Sequence, residues 1–134
     1  MFQSKFDKYA CEGDTIEGVV DEFRFVATII RDTDSHIDDD DCHNEDQSVT
    51  GCDDAQFAKL LAARKAWFDD DWFYCGIVLT VWKGEVKLTD HAASLWGIEC
   101  NYPDSDNSHL SEGANELLGE AVDEAKRLLD TLLV

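Results

Sequence analysis

The run Trp72–Trp82, WFYCGIVLTVW, is apolar at every position except Gly76 and Thr80. A strand with water on one face alternates apolar with polar residues. A run that is apolar at both parities reads as a strand covered on both sides or central in its sheet. Turn residues bound it: Asp69, Asp70 and Asp71 before it, and Lys83-Gly84-Glu85 after it. The second group makes a short hairpin turn into a strand at Val86–Leu88, and Ala93–Cys100, ASLWGIEC, reads as a further strand.

Upstream of this block the period changes. Phe57, Leu60, Leu61, Arg64, Trp67 and Phe68 recur at helical spacing from about Asp53. Asp53 or Asp54 is a natural N-cap, with negative charge where the helix dipole favours it, and Asp69–Asp71 end the helix. Downstream, past the polar stretch Asn101–Asn107, Leu110, Ala114, Leu117, Leu118, Ala121, Ala125, Leu128, Leu129 and Leu132 form an apolar stripe at three-four spacing. Ser108 or Ser111 caps this helix, and its end at Leu132-Leu133-Val134 offers an apolar patch that either supports a dimer or is buried in the monomer.

The earliest clear element is Val19–Arg31, VVDEFRFVATIIR, a period-two strand rich in β-branched and aromatic residues. Residues 1–18 are mixed, with Gly13 and Gly18 as breakers. Between the strand and the first helix lies 32–54, with no apolar periodicity, read as an inserted loop. The expectation is one α+β domain over 1–134: an antiparallel sheet of about four strands with two helices packed on it, in the order β-α-β-β-β-α.

Charge is the second decisive feature. The chain has 134 residues and a formal net charge of -19, and 32–54 contains acids but neither Lys nor Arg. Solubility of a small domain asks for a magnitude of only about 2–8. An apolar fraction of 44% with four Trp excludes a disordered acidic tail. The charge excludes direct nucleic-acid binding, which needs Lys and Arg at the phosphates, and opposes anionic membranes. Clustered acids, with Lys outnumbering Arg, are unlike a halophile's even surface. No stretch is long and apolar enough to span a bilayer, and Met1–Ala10 has no signal-peptide core, so the expected compartment is the cytoplasm. Five cysteines without paired spacing signal neither disulfides nor a zinc ribbon, and Cys75 and Cys100 read as small buried hydrophobes.

The aromatic and glycine run Trp72, Tyr74, Cys75, Gly76, Ile77, Val78, the string Ser94-Leu95-Trp96-Gly97-Ile98-Glu99 and the helix start Leu110–Leu118 resemble an uncharacterised family of small proteins of bacterial phages, plasmids and integrative elements. The similarity spans Trp67 to about Leu118. It implies a mobile-element origin, carries over no catalytic residue, and leaves 32–54 outside the matched region.

No GxSxG, P-loop or dinucleotide glycine pattern is present, and His36, His43, His91 and His109 sit in or beside polar stretches, so the chain reads as non-enzymatic and without a cofactor. Asp32, Asp34, His36 and Asp38 alternate like hard-cation ligands, but Ile37 stands where an EF-hand needs Gly and His43 where it needs Glu. A metal-binding regulator or enzyme using the cluster with Cys42, His43 and Cys52 is one alternative. A soluble accessory protein whose acids bind nothing is another. The leading expectation is a DNA mimic that occupies the nucleic-acid groove of a basic host defence protein of the restriction or CRISPR type. Asp38, Asp39, Asp40, Asp41, Glu45, Asp46, Asp53 and Asp54 would be the main contacts. Asp69, Asp70 and Asp71 with Glu112, Glu116 and Glu120 would form a second rim, the glutamates lying on one helix flank with ~6 Å between neighbours. Target and oligomeric state are open at this point.

Overall fold

A computed structural model describes residues 1–132. Its frame is a four-stranded antiparallel meander, β1 (Thr15–Val20), β2 (Phe23–Arg31), β3 (Phe73–Lys83) and β4 (Val86–Cys100), in that spatial order. The helices are α1 (Gln47–Thr50), α2 (Asp54–Phe68) and α3 (Ser108–Leu132). The α+β class and the four-stranded antiparallel sheet agree with the sequence reading, while two strand boundaries do not.

The strand expected at 19–31 is a hairpin. Val20 pairs with Phe23, and Asp21 turns the chain at φ 55°, a conformation Asp tolerates because its short side chain bonds locally. Gly18, expected to break structure, lies inside β1 where the N-terminal arm crosses. A Cβ there would stand 3.0 Å from the Phe2 Cα, and Phe2 bridges to Gly18. Conversely, 86–88 and 93–100 are one strand. The polar residues between them are absorbed by irregular register against β3, with the Thr80 hydroxyl donating to the Asp90 carbonyl at 3.1 Å. The element order is therefore β-β-α-α-β-β-α, and the acidic segment follows the second strand.

β3 lies between β2 and β4, and its sequence is apolar at both parities because both of its faces are covered from Phe73 to Leu79. One face presents Cys75, Ile77, Leu79 and Val81, all fully buried, with Phe25, Ala27 and Ile29 of β2 beside them. α3 lies on this inner face through Leu110, Ala114, Ala121 and Ala125. Cys75 and Cys100 are buried free thiols there, as expected. The arm 1–14, which has no sequence signal, is tied to the start of α3. The Phe2 and Phe6 amides donate to Asn115 Oδ1 and Ser111 Oγ, and buried Asn107 donates to the carbonyls of Asp7 and Lys8. At the other end of α3 Leu132 is exposed; Leu133 and Val134, the rest of the expected apolar patch, lie outside the described residues.

A second, smaller core forms on the opposite side, at the Tyr74 end of the sheet. Ile37, Trp72 and Tyr74 are its buried members, flanked by Ala66, Trp67 and Tyr102. The Trp72 indole N–H donates to the Ala63 carbonyl at 2.8 Å and so ties α2 to this core. Asp53 caps α2 by accepting from the Gln56 amide at 2.8 Å, and the helix ends at Asp69 with Asp70 at φ 63°. Among the described residues no helix is long and apolar enough to cross a membrane.

Candidate functional site

Segment 32–54 is ordered rather than a loose loop. It forms two 3-10 turns, Ile37–Asp39 and Asp41–His43, and then α1. Each begins with a polar side chain accepting from the backbone amide two residues on: His36 Nδ1 from Asp38 at 3.0 Å, Asp40 from Cys42 at 3.0 Å, and Asp46 from Ser48 at 3.0 Å. Such side-chain-to-backbone bonds offer a chain without apolar periodicity an alternative to helix or sheet.

Two residues pin the segment to the second core. Ile37 is fully buried. His43 is 4% exposed, with Nδ1 2.7 Å from Asp40 Oδ2 and Nε2 2.6 Å from the Tyr102 hydroxyl. A carboxylate only accepts, so in the neutral ring Nδ1–H donates to Asp40 and Nε2 accepts from Tyr102. The Tyr74 hydroxyl donates to the same Asp40 oxygen at 3.2 Å. Desolvation opposes ionisation of Asp40, but the bonds from His43, the Cys42 amide and Tyr74 outweigh it and hold the carboxyl below its ordinary range. Burial pushes the Tyr102 phenol up to about 12. Glu99, opposite Tyr74 in the sheet, is half-buried, and its desolvation raises its pKa.

From the α2 side Arg64 makes the third anchor. Its guanidinium bonds Asp38, Glu45 Oε1 at 3.1 Å and the His43 carbonyl at 3.4 Å. The Arg64 bond holds Asp38 below the usual carboxylate range. At the segment's root Asp32 accepts from Ser35 Oγ at 2.9 Å and from the amides of Asp34 and Gly97 at 3.0 Å, so it is tied to β4.

The acids expected as contacts therefore divide. Asp38 and Glu45 are partnered by Arg64, Asp40 by His43, Asp54 by Gln47; Asp46 and Asp53 cap helices. Asp39 and Asp41 are exposed and make no side-chain bond among the described residues. They line an open cavity of about 340 Å³ with Asp34, Ser35, His36, Asp40, Tyr74 and Gly97. Asp70 pairs with Arg31 at 3.0 Å, which brings the Asp69–Asp71 turn to the root of the segment; Asp69 pairs with Lys65 at 2.6 Å, and Asp71 is exposed. Glu112, Glu116 and Glu120 are exposed on α3, which packs on the inner face, so the sheet stands between them and segment 32–54. They form a separate stripe, not a rim of the same surface.

Among the described residues no three His, Cys, Asp or Glu side chains gather as metal ligands, and both His43 ring nitrogens are engaged. The set His36, Cys42, His43 and Cys52 is not assembled. The residues that sequence reasoning missed are Tyr74, Tyr102 and Ile37, the apolar and phenolic supports. Ile37 alone carried a signal, as the one large aliphatic among the aspartates. Comparison with models of known families, with curated proteins and with solved structures finds no match. The resemblance to mobile-element proteins rests on the sequence motif alone.

Proposed function

We propose that the protein is a non-enzymatic acidic inhibitor from a mobile element, a DNA mimic that occupies the nucleic-acid-binding groove of a basic host defence protein. The observation that carries this reading is the anchoring of segment 32–54: a buried isoleucine, a buried histidine and Arg64 hold in place the backbone that carries its free carboxylates, on a chain of charge -19. A duplex backbone is a set of negative charges at fixed spacing, and carboxylates already held on an ordered backbone meet such a groove at a lower ordering cost than mobile ones. Asp39 and Asp41, with Asp34 beside them, are the contacts the geometry favours, because forming a complex through them breaks no internal bond.

The test is capture from host lysate at low and high salt, using the wild type and Asp39→Asn with Asp41→Asn. These replacements keep every anchor. Capture of a DNA-binding protein that added duplex DNA displaces, and that the double variant loses, is the expected result. Unaltered capture by the double variant refutes the reading.

A further inference from the structure

The face of the sheet opposite α3 is covered by the second core only at its Tyr74 end. Beyond that it carries Val26, Thr28, Ile30 and Thr80, all reached by solvent, around a buried Val78, with a tryptophan at either end. The two tryptophans differ. Trp82 is already covered: the Arg24 guanidinium lies 4.3 Å from its ring centroid and reaches Glu17 at 3.4 Å. Trp96 is 47% exposed, and among the described residues no cation stacks on it.

Trp96 is nonetheless held in place. Its ring lies against Gly76, where a Cβ would fall 2.2 Å from a ring carbon, and its indole N–H donates to Ser94 Oγ at 3.0 Å. The next residue, Gly97, turns at φ 72° and donates its amide to Asp32. This fixes the ring beside the acidic root, and a notch of about 420 Å³ opens between Trp96, Arg31, Asp32, Thr33 and Asp34. Among the described residues Arg31 is the one cation lining it, and it is turned to Asp70 and stacks on Phe73 at 4.5 Å.

We propose that this open sheet face docks a basic partner protein, with Trp96 receiving one of its arginines: the guanidinium stacks on the indole and meets Asp34, as Arg24 stacks on Trp82 and meets Glu17. Charge complementarity selects the occupant. A chain of -19 repels a second copy of itself and attracts a cationic surface. Arginine suits the site better than lysine, because its planar, weakly hydrated cation stacks on an aromatic face while keeping donors for a carboxylate. The proposal rests on the DNA-mimic reading and deepens it, since it names the side chain that the partner must offer.

The experiment titrates full-length protein with octa-arginine and with octa-lysine peptides by calorimetry. Wild type is expected to prefer octa-arginine by about two- to fivefold, the range for an exposed cation–π contact. Trp96→Ala removes that preference and leaves octa-lysine binding in place. Gly76→Ala does the same with the indole retained but displaced, and circular dichroism confirms that both variants are folded. A preference that survives in both variants overturns the proposal. If both peptides bind equally well and Asp39→Asn with Asp41→Asn weakens both, the acidic-surface reading stands and the Trp96 site falls. Failure of either peptide to bind at low salt overturns both. A wild-type dimer that Trp96→Ala dissociates, seen by light scattering, makes the occupant a second copy and overturns the proposal too.

Discussion

Ile37→Ala separates fixed charge from mere charge, because it removes no acid. Ile37 is fully buried in the small core with Trp72 and Tyr74, inside the first 3-10 turn of the acidic segment. The substitution deletes three carbons, worth roughly 2.4 kcal/mol at about 0.8 kcal/mol per buried methylene. The unfilled cavity raises the cost, and buried Ile→Ala changes fall at about 2–5 kcal/mol. This core is peripheral and relaxes more easily than the one under α3, so we take about 2–4 kcal/mol. The loss falls first on local opening of 36–50, since the sheet and α3 do not depend on Ile37. At about 1.4 kcal/mol per factor of ten, amide exchange in that segment accelerates by roughly 30- to 700-fold while protection of β3 is retained. Hydrogen exchange with mass spectrometry reads this directly. The formal charge stays at -19, so a protein whose acids only confer solubility keeps its behaviour, whereas a mimic loses its partner. Acceleration below about threefold in 36–50 refutes the anchoring argument. Acceleration as expected with partner capture unchanged refutes the need for fixed spacing.

Three further outcomes follow from the same geometry. Glu99 has its pKa raised chiefly by desolvation. Its contribution to stability is therefore complete below its unfolded value and is lost as pH rises through the folded one, so Glu99→Gln raises Tm at pH 7 and the gain disappears below about pH 4.3 in a pH series of melting curves. Asp53→Ala removes the N-cap of α2 and costs about 1 kcal/mol, measured by denaturant titration, with equal stability to wild type contradicting the cap. Raising NaCl from about 0.02 M to about 0.5 M raises Tm by a few degrees, because screening relieves the mutual repulsion of a chain at -19; a fall in Tm would mean that the pairs of Arg64 and Arg31 dominate instead.

The helix α3 and the central strand β3 were legible because each buries a face over most of its length, α3 as far as Ala125 and β3 as far as Val81. Their periods, three-four for α3 and unbroken for β3, are direct images of that burial. The β1–β2 hairpin was not. Its turn is Asp21-Glu22, without glycine, and β-rich residues on both sides run together into one apparent strand. Likewise Thr89-Asp90-His91 reads as a break, yet an edge strand tolerates polar residues where its register slips, and β4 continues through them. The order within 32–54 is of a kind that apolar periodicity never reports. It comes from acceptors two residues ahead of backbone amides, at His36, Asp40, Asn44 and Asp46, and from one isoleucine and one histidine reaching a core whose other members lie far along the chain. Tyr102 meets His43 across 59 positions, so no local pattern marks it.

The partnered acids and the free acids have different consequences for recognition. Asp40, Asp46 and Asp53 accept from backbone amides, and Asp38 and Glu45 surround Arg64; extracting any of them for a partner's cation sacrifices an internal bond of comparable strength. Net charge alone thus overstates what the segment offers and understates how selectively it offers it. Asp34 and Gly97 line the cavity that holds Asp39 and Asp41, Asp34 also lines the notch beside Trp96, and Asp32 ties Gly97 to the root of the segment. The free carboxylates and the open indole are thereby one continuous surface, built where the register of β4 against β3 shifts at Trp96-Gly97. A mimic made of charge alone would accept lysine and arginine grooves alike. If Trp96 receives an arginine as proposed, this surface ranks them, because a guanidinium satisfies the ring and the carboxylate together, and the partners it would favour are those that hold their DNA with arginine.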